Sequence, residues 1–247
     1  MPWKNKLGWS CLLAGMSFLV LGAAPPPPPA LELSDAEFAD LTDRSTAIID
    51  AVLQGPAKKP DIERAKAAAL LIATAAQYSE TPANAAKRSV ARSLALDLTS
   101  ALDQGNMAQG RNLLAALKAP PANLKPGAGQ VVLGKTIDFG DVMENFHTTG
   151  GAKKLTSLAG KKDIPKAALT PELQMIAWQA ATTGELSKTY NGPKVAKAPL
   201  AWAQFAEQMR QSGMDLASAV KAQNEKAART ALDRLETSCK DCHQKFK

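Results

Sequence analysis

Cys239, Cys242 and His243 are the residues whose types and spacing best suit joint chemistry. They lie in the run Cys239-Lys240-Asp241-Cys242-His243, the C-x-x-C-H pattern of covalent haem attachment. On a helix turning roughly 100° per residue, positions 239, 242 and 243 share one arc of the surface. Two thiols on that arc can each add to a porphyrin vinyl group, which brings the adjacent imidazole under the iron as an axial ligand. The spacing therefore predicts one covalently held haem c per chain, attached through Cys239 and Cys242 with His243 on the metal.

Other uses of these cysteines fit less well. A redox-active C-x-x-C normally accompanies a βαβ pattern, and none is visible. Structural zinc takes four ligands, whereas the chain outside its first 24 residues offers two cysteines and two histidines. A plain disulfide between Cys239 and Cys242 would leave His243 without a role. No histidine is spare for a Ser/His/Asp arrangement, and there is no Gly-rich phosphate loop, so the chain does not read as an enzyme.

The elements that must carry the motif are helices. Ala is abundant, aromatics amount to 5% and Val and Ile are sparse, which favours helix-on-helix packing. Ser34 and Glu37 form a capping box before a helix reaching about Gln54. Further helices are predicted over about 60–78, from Thr81-Pro82 to Asp103, and over about 106–118. Pro120, Pro121, Pro126 and Gly127 then interrupt the pattern. Beyond them, a helix is predicted over about 138–148, then a Gly150-Gly151 break and a short turn near 153–159. Another helix starts at Thr170-Pro171-Glu172 and ends by Asn191-Gly192-Pro193, a long one runs from about Pro199 to Ala222, and the last covers Asn224 to the terminus. On that last helix Ala228, Leu232, Leu235, Cys239, Cys242 and Phe246 form one apolar stripe, turning the attachment point towards the core.

The two halves match each other. At an offset of 118 residues Arg92 meets Arg210, Asp97 meets Asp215, Leu98 meets Leu216, Asn106 meets Asn224 and Arg111 meets Arg229. Leu114 and Leu117 fall on Leu232 and Leu235, and Phe38–Thr42 resembles Phe139–Met143. Agreement at polar positions argues for duplication over shared Ala-richness. Pro121 and Lys125 stand at the positions of Cys239 and His243, so only one copy carries the motif.

A C-terminal C-x-x-C-H on the last helix of a bundle, followed by Phe246 and Lys247, resembles the class II cytochromes c, the family of cytochrome c prime and its low-spin relatives, over about residues 131–247. The family more often ends in Tyr and Arg at those last two places. The match between the halves together with the resemblance gives the expected fold, all-α with tandem four-helix units, the C-terminal one implied by the resemblance to be a cytochrome c prime-like bundle. It also implies a sixth ligand. In low-spin relatives a Met on the first helix binds the iron, and in high-spin ones an apolar residue stands there. Met143 occupies that place, on the face Phe139, Val142, Met143, Phe146, and its counterpart in the other copy is Thr42. Core filling is the competing use of Met143, and His147, one turn on, is the alternative sixth ligand. Trp178, Trp202, Phe205 and Met209 follow helical spacing and read first as core.

Residues 1–24 combine a basic start with Lys4 and Lys6, an apolar run over 7–24 and small residues Gly22, Ala23 and Ala24, as in a cleavable export signal. A retained anchor is the competing reading. Pro25–Pro29 reads as a stiff spacer. The expected layout is a signal peptide at 1–24, a polyproline linker at 25–30, a haem-free repeat at 31–119, a linker at 120–130 and a haem-binding bundle at 131–247. The formal charge of +7 falls to +5 without Lys4 and Lys6, with acids interleaved, which argues against nucleic acid as partner and for an acidic redox partner protein. The expectation is a periplasmic one-electron carrier. Its alternatives are a five-coordinate haem protein binding small gases such as nitric oxide, and a haem-bearing interaction module whose haem-free repeat docks a partner or pairs chains as a homodimer.

Overall fold

The computed structural model describes residues 31–121, 129, 131, 137–149 and 151–246. The signal and spacer segments, most of the linker, Gly150 and Lys247 lie outside the described residues. The described residues form ten α-helices and no strand. They are α1 (Asp35–Gln54), α2 (Lys59–Tyr78), α3 (Ala85–Asp103), α4 (Met107–Lys118), α5 (Phe139–Thr148), α6 (Gly151–Ala159), α7 (Pro171–Ser187), α8 (Pro193–Ala196), α9 (Pro199–Lys221) and α10 (Glu225–Phe246), with a 3₁₀ turn at Lys166–Ala168. The protein is thus all-α, with α1–α4 making one four-helix unit and α5, α7, α9 and α10 a second.

Local signals set most boundaries. The Ser34 hydroxyl accepts from the Glu37 amide at 3.3 Å, and Glu37 Oε2 accepts from the Ser34 amide at 2.9 Å, so the first helix opens on a reciprocal cap. Asn106, Asp138 and Thr170 cap α4, α5 and α7 in the same manner, each accepting a backbone N–H. One expectation is corrected. The stretch near 153–159 is not a short turn but α6, a helix of nine residues. Leu155 and Leu158 are buried on it, and this 3.6-residue periodicity holds the segment helical against α5, α7 and α10. Gly151 opens α6 because any Cβ there would meet the Phe146 ring at 2.8 Å.

Two helices form the centre. On α2 every residue from Ala65 to Ala76 is buried, and on α7 nearly every residue from Leu173 to Ser187 is. A helix apolar on all sides must be surrounded. α2 packs on α1, α3, α5 and α7, and α7 packs on α9, α2, α1, α5 and α6. Alanines and glycines allow this crowding. Gly184 of α7 lies so close to α9 that a Cβ would come within 2.5 Å of the Arg210 nitrogen. Gly213 of α9 would come within 2.6 Å of the Ala181 nitrogen. α7 and α9 therefore touch backbone to backbone at two successive points, and this fixes where α9 presents its side chains.

Charge follows the same logic. The fully buried Arg210 guanidinium is held by Glu207 and lies 3.5 Å from Glu185. Buried Lys66 reaches Asp103 at 2.7 Å and Glu63 at 3.1 Å. Pairing of this kind is what permits such charges in the interior.

Candidate functional site

At one end of the second unit, three helices converge on an apolar cleft. α5 contributes Phe139 and Met143, α9 contributes Trp202, Phe205, Ala206 and Met209, and α10 contributes Ser238, Cys239, Cys242 and His243. The last residue of α7, Ser187, completes the lining.

Each element is anchored independently. Asp138 starts α5 by accepting from the Gly140 amide at 2.7 Å, which places Phe139 and Met143 on the first turns. The Trp202 indole donates to the Ser187 carbonyl at 2.8 Å and ties α9 to the C-terminus of α7. Along α10, Ala228, Leu232 and Leu235 are buried, whereas Cys239, Cys242 and Phe246 are half-buried. The apolar stripe thus runs from core to cleft. Aromatic rings wall the site. Phe139 meets Trp202 edge-on at 4.9 Å and Tyr190 at 5.6 Å, and Phe246 meets Trp202 at 5.2 Å and Phe205 at 6.2 Å. Such tilted and T-shaped pairs suit the ring quadrupoles.

Both motif cysteines are free thiols. Burial raises the Cys239 pKa above that of an ordinary thiol. The Cys242 thiol is pushed up to about 11, first by burial and then by the neighbouring Cys239. Both therefore stay protonated at neutral pH. His243 is exposed by area but turns one side to the cleft.

The structure brings together Cys239, Cys242, His243 and Met143. It leaves His147 outside, exposed one turn beyond Met143. Of the four residues read first as core, Trp202, Phe205 and Met209 line the cleft, while Trp178 is buried elsewhere on α7. Sequence reasoning passed over Ser187 and Tyr190. Ser187 acts through its backbone carbonyl, which leaves no side-chain signature. Tyr190 lies just before the Asn191-Gly192 break, in a stretch read as connection only.

These residues fit a haem. Two thiols and an imidazole stand on one helical arc, a thioether comes from a second helix, and the remaining wall is apolar and aromatic, which suits a porphyrin face. The cavity enclosed between them is about 40 Å³, so wall side chains such as Phe205 and Phe246 must turn aside to admit a macrocycle.

An antiparallel helical bundle with C-x-x-C-H on its last helix, facing an apolar cleft, defines a haem protein of the bundle type. Residues 138–247 match the model of the cytochrome c' family, so this C-terminal stretch is similar to the class II cytochromes c, a family of haem-binding proteins. No curated protein and no solved structure matches the chain at the significance required.

Proposed function

We propose that the protein is an exported one-electron carrier. A single haem c is attached through Cys239 and Cys242, His243 is one axial ligand and Met143 is the sixth. The observation carrying this reading is that Met143, alone of the two candidates, lines the same cleft as the motif. When bound, the haem supplies the one-electron couple. The chain's own residues do the rest. Cys239 and Cys242 fix the macrocycle to a helix anchored by Leu232 and Leu235. The half-buried thioether of Met143 is presented from α5 without a charged neighbour in the cleft lining. Trp202, Phe205, Phe139 and Phe246 exclude water, and low polarity around a metal tunes its potential. Exposed Lys245, two places beyond the motif, and Lys240 within it, paired with Glu236 at 2.8 Å, suit an acidic redox partner.

The signal-like sequence of residues 1–24 supports the export part of this reading. Among the described residues no helix is long and apolar enough to cross a membrane.

The test is an absorption spectrum of the exported protein, oxidised and reduced, for wild type and Met143→Ala. A low-spin wild-type spectrum with a sulfur-to-iron band that the variant loses supports the His–Met carrier. A high-spin spectrum unchanged by the substitution refutes it and moves gas binding to first place, since Phe139 and Met143 would then present only apolar surface. Cys239→Ala or Cys242→Ala should weaken haem retention, and a wild-type spectrum in His243→Ala would overturn the axial assignment.

A further inference from the structure

The first unit keeps a cleft where the second has its haem site. It is larger, about 680 Å³, within the usual range for small-molecule sites. The duplication makes the correspondence residue by residue. Phe38 takes the place of Phe139, Thr42 of Met143, Lys87 of Phe205, Arg88 of Ala206, Ala91 of Met209 and Pro121 of Cys239, and all six line the cleft. With Val90 and Leu117, the floor remains apolar. The substitutions at Thr42, Lys87 and Arg88 all exchange an apolar haem-site residue for a hydrogen-bond donor.

Two of those donors are unsatisfied. Arg88 is 1% exposed, its guanidinium held by Asp35 at 3.0 Å and stacked 3.6 Å over the Phe38 ring, yet its Nε has no hydrogen-bond partner among the described residues. The Thr42 hydroxyl is likewise buried without a partner. Buried orphan donors are uncommon and costly to leave unmade. Lys87, exposed at the mouth, has no ion-pair partner among the described residues. The acids at the cleft are Asp35, already engaged by Arg88 and by Asn84 at 3.4 Å, and Asp43, exposed at the rim. Lys118 at the lip is neutralised by Asp50 at 2.8 Å.

We propose that this cleft is a second ligand site, taking an amphipathic carboxylate: an apolar body on Phe38, Val90, Ala91 and Leu117, and a carboxylate end received by Thr42, Arg88 and Lys87. The unit without haem keeps the scaffold of a cofactor pocket and has exchanged metal ligation for anion recognition.

Dodecanoate titrated into the haem-loaded full chain, followed by calorimetry, tests this against dodecanol and dodecyltrimethylammonium as neutral and cationic probes. Dodecanoate should bind once per chain, at least tenfold tighter than either other probe. Lys87→Glu should reverse the preference between anion and cation, and Ala39→Trp, an exposed alanine on the cleft wall, should abolish binding. Thr42→Val should weaken dodecanoate severalfold and leave dodecanol unchanged. The haem spectrum should not move in any variant, which separates this site from the haem cleft. Equal binding of dodecanol, tighter binding of the cation, no dodecanoate binding, or binding that survives Ala39→Trp would each overturn the proposal.

Discussion

Gly184→Ala should destabilise the protein through a contact that has no soft partner. The added Cβ would lie 2.5 Å from the Arg210 nitrogen, 2.8 Å from the Ala206 carbonyl oxygen and 2.9 Å from the Arg210 Cα. All three are backbone atoms of α9, so no rotamer change relieves them. Reaching ordinary contact at 3.4 Å requires α7 and α9 to part by about 0.9 Å. Overpacking of this kind costs about 1–3 kcal/mol, and a rigid backbone partner places it near the top of that range. Alanine recovers about 1 kcal/mol over glycine through helix propensity, leaving a net loss of about 2 kcal/mol. For a chain of this size that lowers the Tm by roughly 4–8 °C. Thermal unfolding of the haem-loaded protein followed by far-UV circular dichroism reads the shift. Gly55→Ala is the control, since the nearest atom its Cβ would meet, the Ala51 carbonyl oxygen, lies 3.8 Å away. Because α9 also carries Trp202, Phe205 and Met209, the haem spectrum of Gly184→Ala should change as well. A Gly184→Ala protein as stable as wild type, with an unaltered spectrum, would refute the close α7–α9 crossing.

Glu207 is held at a pKa of about 2, chiefly by its hydrogen bonds from Arg210 and also by Lys188, against the opposing effect of burial. A depressed folded-state pKa adds stability that is fully present above pH 4.5 and is lost as pH falls towards 2. Glu207→Gln should therefore flatten the acid limb of the stability curve between those values in urea titrations at stepped pH. The carboxylate is 44% exposed, so solvent screening leaves the effect at about 1 kcal/mol. Trp202→Phe should keep the edge-on ring contacts but remove the indole bond to the Ser187 carbonyl, which still accepts from the Tyr190 amide at 3.1 Å, costing about 0.5–1.5 kcal/mol in urea unfolding and broadening the haem spectrum.

The helices and the motif were legible because their signals are local. A capping box at Ser34–Glu37, prolines at Pro171 and Pro199 and the 3.6-residue stripe of α10 each act within a turn or two. Met143 was legible for another reason, through the resemblance and its absence from the other copy. What the sequence hid lies between elements. The α6 helix looked like a turn because its nine residues offer only Leu155 and Leu158 as periodic anchors, and the partners that hold them are remote. Trp202 and Met209 are buried as their periodicity predicts, but periodicity reports only that a residue is covered, so it did not show that they and Phe205 line the cleft. The Gly184–Gly213 crossing was invisible, since two glycines 29 positions apart become a contact only when α7 and α9 are laid together.

Aligned at the offset of 118 residues, the two units differ first in where their last helix ends. Lys118, the last residue of α4, corresponds to Glu236 of α10. Pro120 and Pro121 follow Lys118, and consecutive prolines cannot continue a helix, because each lacks an amide and clashes with the preceding turn. α10 instead continues to Phe246, roughly 15 Å further at ~1.5 Å per residue. Cys239, Cys242 and His243 all stand on that extension. The difference between the units is thus first one of helix length and only then of side chains. A cysteine substituted at Pro121 would stand three residues beyond the end of α4 at Lys118, off the helical arc the motif needs. The first cleft, lined at its lip by Pro120 and Pro121, is the larger of the two, about 680 Å³ against about 40 Å³. The end of α4 at Lys118 thus removes the attachment arc from the first unit, whose cleft is lined instead by Thr42, Lys87 and Arg88.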